Sequence, residues 1–126
     1  MAAISVVAAV IRHDGRFLVT LRRQGSHLAG CWEFPGGKIA PAETHEAALR
    51  REMREELDAD VTVHELILAT THAYPDRAVD LFFYRCTLIG QPRPLLGQDM
   101  RWVAASELDQ LPFPPADADL IRVLGS

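Results

Sequence analysis

The stretch Glu46 to Leu57 runs without glycine or proline through good helix formers, behind Thr44, a side chain suited to cap it. At about 100° of rotation per residue, with Glu52 at the origin, Glu55 falls near roughly −60° and Glu56 near roughly +40°. Three carboxylates therefore share one face. Leu49, Met53 and Leu57 line the flank beside them, while Arg50 and Arg54 fall on the far side. Glu52 and Glu56 are like charges at i, i+4, a pairing that costs roughly 0.2–0.5 kcal/mol in an isolated helix. Neither has a basic residue on its own face at helical spacing, and only Glu55 has one, Arg51. Helix geometry leaves two readings open. One is a solvated acidic face. The other is a site for a hard divalent cation, since Mg2+ prefers a few carboxylate oxygens together with substrate phosphates to an all-protein cage.

The residues before the helix favour the second reading. Gly36-Gly37 lets the backbone approach a ligand closely, and should break any regular structure there. Lys38 follows directly and is the only lysine in the chain. A compact ammonium between a glycine pair and an acidic helix suits a site for phosphate and metal.

Around this segment the chain reads mostly as strands. Ser5 to Ile11 and Phe17 to Leu21 flank the turn signal His13-Asp14-Gly15-Arg16 and form a hairpin. The apolar opening from Met1 to Ile11 lacks a basic start and a cleavage site and is too short to span a bilayer, so it also reads as strand. Gln24 to Gly30 is an exposed loop, and Cys31-Trp32-Glu33-Phe34 a short alternating segment. The helix should end near Asp58. Val61 to Thr71 and Val79 to Leu88 form a longer hairpin about Tyr74-Pro75-Asp76-Arg77. Arg101-Trp102-Val103 is a last strand, Ser106-Glu107-Leu108 a helical turn, and Pro114-Pro115 open a closing helix to about Leu124. This order predicts an α+β or mixed α/β/α arrangement around a mixed sheet, in one domain spanning residues 1–126.

A net charge of −4 argues against broad attraction to a nucleic-acid polymer or an anionic membrane, so a polyanionic substrate would need metal ions as intermediaries. Cys31 and Cys86 have no Cys-x-x-Cys pairing and suit buried thiols in a reducing cytoplasm, and the five histidines show no zinc spacing. The expected location is cytoplasmic.

Read together, Gly37-Lys38-Ile39-Ala40-Pro41-Ala42-Glu43, seven residues, and then Arg51-Glu52-Met53-Arg54-Glu55-Glu56 resembles the Nudix box. Trp32-Glu33-Phe34-Pro35, Pro75-Asp76-Arg77 and Phe113-Pro114-Pro115-Ala116 extend the resemblance to MutT-like members. It implies an α/β/α Nudix fold and Mg2+-dependent hydrolysis, with Mn2+ as a substitute, of a small nucleotide by a monomer or homodimer. It implies metal at Gly37, Glu52, Glu55 and Glu56, catalytic roles for Lys38, Arg51, Glu52 and Glu55, and Glu52 or Glu55 as proton acceptor. Gly36 and Glu43 would shape the box, with Glu43 and Arg51 fixing the loop against the helix. Water would attack the β-phosphorus and give a nucleoside monophosphate and pyrophosphate. The chain departs from the box in closing it with Asp58-Ala59 instead of glycine and an aliphatic residue. Near Trp102, where the family carries a further acidic residue, it has Gln98-Asp99-Met100-Arg101, with Asp99 as the substitute.

By the same resemblance the substrate lies near Arg22, Phe34, Tyr74, Arg77 and Asp117. MutT-like enzymes selective for 8-oxoguanine place asparagine where this chain has Asp117. An ionised aspartate only accepts hydrogen bonds, which suits the amino group of cytosine, unless burial keeps it protonated and restores the donor. The reading is 8-oxo-dGTP hydrolysis, with CTP or modified dCTP as the alternative. ADP-ribose hydrolysis and a regulator that binds nucleotide without turnover follow.

Overall fold

The computed structural model describes residues 3–22, 25 and 28–125. Met1, Ala2, Gln24, Ser26 and His27 of the expected first strand and loop lie outside them. Strand β1 (Ala3–His13) is apolar in both phases because both of its faces are buried. Val7, Ala9 and Ile11 enter one core layer, and Ala8 and Val10 the other. It pairs antiparallel with β2 (Arg16–Leu21) through a turn in which Asp14 and Gly15 both take positive φ, at 51° and 75°. That is the geometry the Asp-Gly signal predicts. β2 in turn pairs with β3 (Trp32–Glu33).

Gly36 and Gly37 do not end regular structure as expected. With Lys38 they form β4 (Gly36–Lys38), antiparallel to β1. A Cβ on Gly36 would run into the Val7 carbonyl oxygen, so the missing side chain is what lets β4 lie against β1. The expectation failed because a glycine pair read along the chain signals a break, whereas here it answers to a strand distant in sequence.

Helix α1 (His45–Leu57) follows, with the Thr44 hydroxyl accepting from the Ala47 N–H and Asp58 closing the helix in the left-handed region at φ 51°. Ala48, Leu49, Met53 and Leu57 are fully buried against β1 and β5. Burial of such side chains contributes roughly 1.5–3 kcal/mol each for the larger ones. β5 (Asp60–Tyr74) and β6 (Arg77–Ile89) make the long hairpin, and β6 runs parallel to β1. β7 (Met100–Ala104) pairs with β2.

The central strand order is β3-β2-β1-β6-β5, with β4 beside β1 and β7 beside β2. α1 covers one face of this mixed sheet. The opposite face carries 3₁₀ turns at Ala105–Gln110 and Pro115–Asp117 and the short helix α2 (Ala118–Leu124), seated by Leu108, Ala116 and Leu120. The closing helix thus starts later than expected, its first turn being 3₁₀. Cys86 is buried, while Cys31 is only half-buried. No helix among the described residues is long and apolar enough to cross a membrane.

Candidate active site

One cavity of about 360 Å³ opens between β4, the carboxylate face of α1, the tip of the β5–β6 hairpin and the turn before α2. Its making begins at Arg51. The Arg51 guanidinium donates to both oxygens of Glu43 (2.8 and 3.0 Å), to the Lys38 carbonyl (3.0 Å), to Glu52 (2.9 Å) and to Glu55 (3.2 Å). Glu43 also accepts from the Ala40 N–H at 2.9 Å, and its carboxyl is held down to about 2, chiefly by Arg51. Loop 39–43 is thereby fastened to the helix. Every guanidinium nitrogen of Arg51 is engaged and the residue does not line the cavity, so its geometry is that of an organiser of the loop. It also reaches Glu52, which helical spacing alone had left without a basic neighbour.

The three helix glutamates separate into two environments. Glu52 and Glu56 line the cavity, whereas Glu55 is turned outward, with 59% of its side chain exposed. The Glu52 carboxyl lies where a Cβ on Gly37 would strike it, so the glycine makes room for an acid. Burial raises the Glu52 carboxyl above its ordinary value, against the pull of Arg51. Glu56 accepts from the Gly36 N–H, yet burial, and then the charges of Glu52 and Glu33, push it up to about 8. Lys38 lines the same wall and is exposed.

Among the described residues no three acidic, imidazole or thiol side chains already converge as a closed metal cage. The donor set nonetheless fits a hard divalent cation. Two half-buried acids, one raised to about 8 by its surroundings, face a cavity beside a glycine strand, and an ion would stabilise their charged forms while leaving positions for phosphate oxygens.

At the other end, Arg22 donates to Glu33 at 2.6 Å. Phe34 is buried, stacked on Phe113 (5.5 Å, 27°) and edge-on to Phe83 (6.2 Å, 81°). Tyr74 bonds the Ala116 backbone, and burial raises its phenol. Arg77 closes the rim. Asp117 is buried, and burial followed by the charge of Glu33 pushes its carboxyl up to about 7 against the pull of Arg22.

The structure thus gathers Arg22, Phe34, Gly36, Gly37, Lys38, Glu52, Glu56, Tyr74, Arg77 and Asp117 around one space, and leaves Glu43, Arg51 and Glu55 outside its lining. Asp99, expected as the further acid, is exposed and does not line the cavity, because the wall is made there by Leu96 and Gln98. Gln98 is tied to the helix end, donating to the Glu56 carbonyl at 3.3 Å. Sequence reasoning missed Glu33 as a site residue. Burial raises its carboxyl too, and the signal for it was an acid between two aromatics just ahead of the Gly36-Gly37 pair.

A family model described as the NUDIX domain matches residues 6–123. The chain is 40% identical over 123 residues to the 8-oxo-dGTP diphosphatase of Haemophilus influenzae, covering 96% of this chain and 90% of that one. It is 37% identical over 123 residues to the CTP pyrophosphohydrolase of Escherichia coli K12, covering 97% and 91%. The crystal structure of a MutT NUDIX hydrolase from Burkholderia pseudomallei superposes with a TM-score of 0.87 at 27% identity, covering 97% of this chain and 98% of that one.

Proposed function

This chain belongs to the Nudix hydrolase family, MutT-like enzymes that act on phosphoric anhydride bonds with a divalent metal, and from that premise we propose that it is a Mg2+-dependent nucleoside triphosphate pyrophosphohydrolase in a single domain. The observation that carries the proposal is the pair of half-buried acids, Glu52 and Glu56, facing a cavity beside Gly37. When bound, the ion supplies charge neutralisation and polarisation at the phosphates. Mn2+ is the expected substitute.

The chain's own residues do the rest. Lys38 is near enough to the cavity mouth to steer the phosphate tail. Arg51 and Glu43 hold loop 39–43, and so the Gly37 backbone, at fixed distance from α1. Water forms a bond to the β-phosphorus, the bond from that phosphorus to the oxygen bridging the α-phosphorus breaks, and the nucleoside monophosphate leaves with the oxygen. The water's proton goes to a carboxylate, and the cavity-facing position of Glu52 favours it over the outward Glu55 for this role. Glu55 keeps a part in metal binding through its i, i+3 relation to Glu52.

The base is taken between Phe34, Tyr74, Arg22 and Asp117. An Asp117 carboxyl raised to about 7 is available at neutral pH as a donor as well as an acceptor, which supports 8-oxo-dGTP, the substrate named for the Haemophilus relative. A second reading, CTP or modified dCTP, is favoured by Glu33 and Asp117 together, two acids that are pure acceptors once ionised, and by the name of the E. coli relative.

The test is pyrophosphate release from a panel of normal and oxidised nucleoside triphosphates with Mg2+ or Mn2+. Wild type is expected to release pyrophosphate from 8-oxo-dGTP or CTP, and Glu52→Gln to lose at least about 100-fold in kcat, the scale expected when a general base is removed. Wild-type rates no higher than those of the variant would sink the assignment.

A further inference from the structure

Two polar or charged side chains are buried to within a tenth of full exposure among the described residues, Thr20 (3% exposed) and Asp117 (6%), and both line the same cavity. Asp117 is accounted for by the base. Thr20 is not. It closes the run Phe17-Leu18-Val19-Thr20 of β2, every member of which is buried. Valine would serve a buried, paired strand position equally well, since the strand asks only for a β-branched side chain. The hydroxyl adds a polar group, and among the described residues it makes no hydrogen bond. A buried hydroxyl without a partner is destabilising, so its presence calls for a partner not supplied by the protein.

The register says where that partner sits. Thr20 lies directly opposite Glu33 on β3 and Met100 on β7, so all three project on one side of the sheet. That side is the one on which Leu18 packs against α1. The Glu33 carboxylate is taken up by Arg22 at 2.6 Å, and Met100 offers only apolar surface. The hydroxyl therefore lies in the cavity wall beside the half-buried Arg22–Glu33 pair, on the face of the sheet that α1 covers.

We propose that Thr20 is a ligand-contacting residue, its hydroxyl hydrogen-bonding a polar atom of the bound nucleotide directly or through one ordered water. The inference rests on the nucleotide reading above and deepens it. Thr20 joins Asp117 as a buried polar group kept unsatisfied by the protein so that the ligand satisfies it.

The signature is a pair of opposite effects. Thr20→Val should leave the thermal midpoint of the ligand-free protein unchanged or raise it, because an unpaired hydroxyl is removed. The same variant should weaken calorimetric binding of α,β-methylene analogues of dGTP and CTP with Mg2+, and lower kcat/KM, by about 5- to 20-fold, the scale of one hydrogen bond. Thr20→Ser should restore both to within about twofold. A structural hydroxyl would instead cost thermal stability in Thr20→Val, and that result overturns the proposal. So does a Thr20→Val protein that binds and cleaves as wild type does. Should Thr20→Val fail to fold, Thr20→Ala against Thr20→Ser makes the same comparison, and equal binding by the two overturns it. If wild type binds no nucleotide, both this inference and the proposed function fail. If wild type binds and cleaves while Thr20→Val matches it, this inference alone fails.

Discussion

Asp117 is the residue at which the two substrate readings part. Below its titration near 7 it offers a hydroxyl and a carbonyl oxygen, like an amide, and above it two acceptors. An 8-oxoguanine edge that needs a donor should therefore be used less well as pH rises through 7, and a cytosine amino group better. We predict that kcat/KM for 8-oxo-dGTP, corrected for the general pH dependence seen with dTTP, falls between about pH 6 and about pH 8, and that the CTP value rises. Asp117→Asn should flatten both profiles and shift preference toward 8-oxo-dGTP. Profiles that keep their slope in Asp117→Asn would place the titration elsewhere. The position of Asp117 was legible through the Phe-Pro-Pro-Ala segment just before it, but its state was not. Its carboxyl is raised by burial behind α2 and by Glu33, and Glu33 stands next to it only after β2 and β3 have paired. Glu33 escaped notice for the same reason, since an acid alternating with aromatics reads along the chain as the wet side of a strand.

Elements whose determinants are local came out as the residues indicate. The Asp14-Gly15 turn, the Thr44 cap and the left-handed Asp58 all depend on side chains within a few positions of one another. β4 and the parallel pairing of β1 with β6 do not, because each is decided by a surface brought from far along the chain. Loop 39–43 lies between these cases. Its sequence marks it, but its shape is held by Arg51, whose five hydrogen bonds span the loop, the β4 carbonyl and about one turn of helix. Hydrogen bonds to charged groups contribute roughly 1.5–3 kcal/mol each when buried, and these are partly exposed, so their joint value is far below the sum. Arg51→Ala should lower the urea-derived unfolding free energy by about 2 kcal/mol and reduce kcat, although Arg51 does not itself line the cavity. Arg51→Lys should recover little of either, because an ammonium cannot bridge Glu43 and the Lys38 carbonyl at once. Full activity in Arg51→Ala would show that the loop holds its shape without the guanidinium.

For the molecule as a whole, the cavity sets the pH at which the fold is most stable. Glu33, Glu52, Glu56 and Asp117 all have acidities raised by burial, two of them to about 8 and about 7. A carboxyl raised in the folded state contributes stability that is fully present below its unfolded value, 4.5 for Glu and 3.8 for Asp, and is lost as pH climbs through the folded value. Glu43 works the other way, its contribution being present above 4.5 and lost as pH falls toward 2. With a chelator present, the thermal midpoint should therefore peak in mildly acidic solution and decline from about pH 5.5 to about pH 8.5. A cation seated at Glu52 and Glu56 prefers their ionised forms, so saturating Mg2+ should lift the midpoint most at the alkaline end and flatten the decline. Glu56→Gln should raise the alkaline midpoint without metal, since no charge is then forced into the cavity, and should also lose most of the response to Mg2+. The residual slope belongs to Glu33, Glu52 and Asp117, of which Asp117 faces the base end and should be indifferent to metal. Parallel profiles with and without Mg2+ would mean that Glu52 and Glu56 are not where the ion binds, and that the acidic face of α1 serves some purpose other than holding a cation.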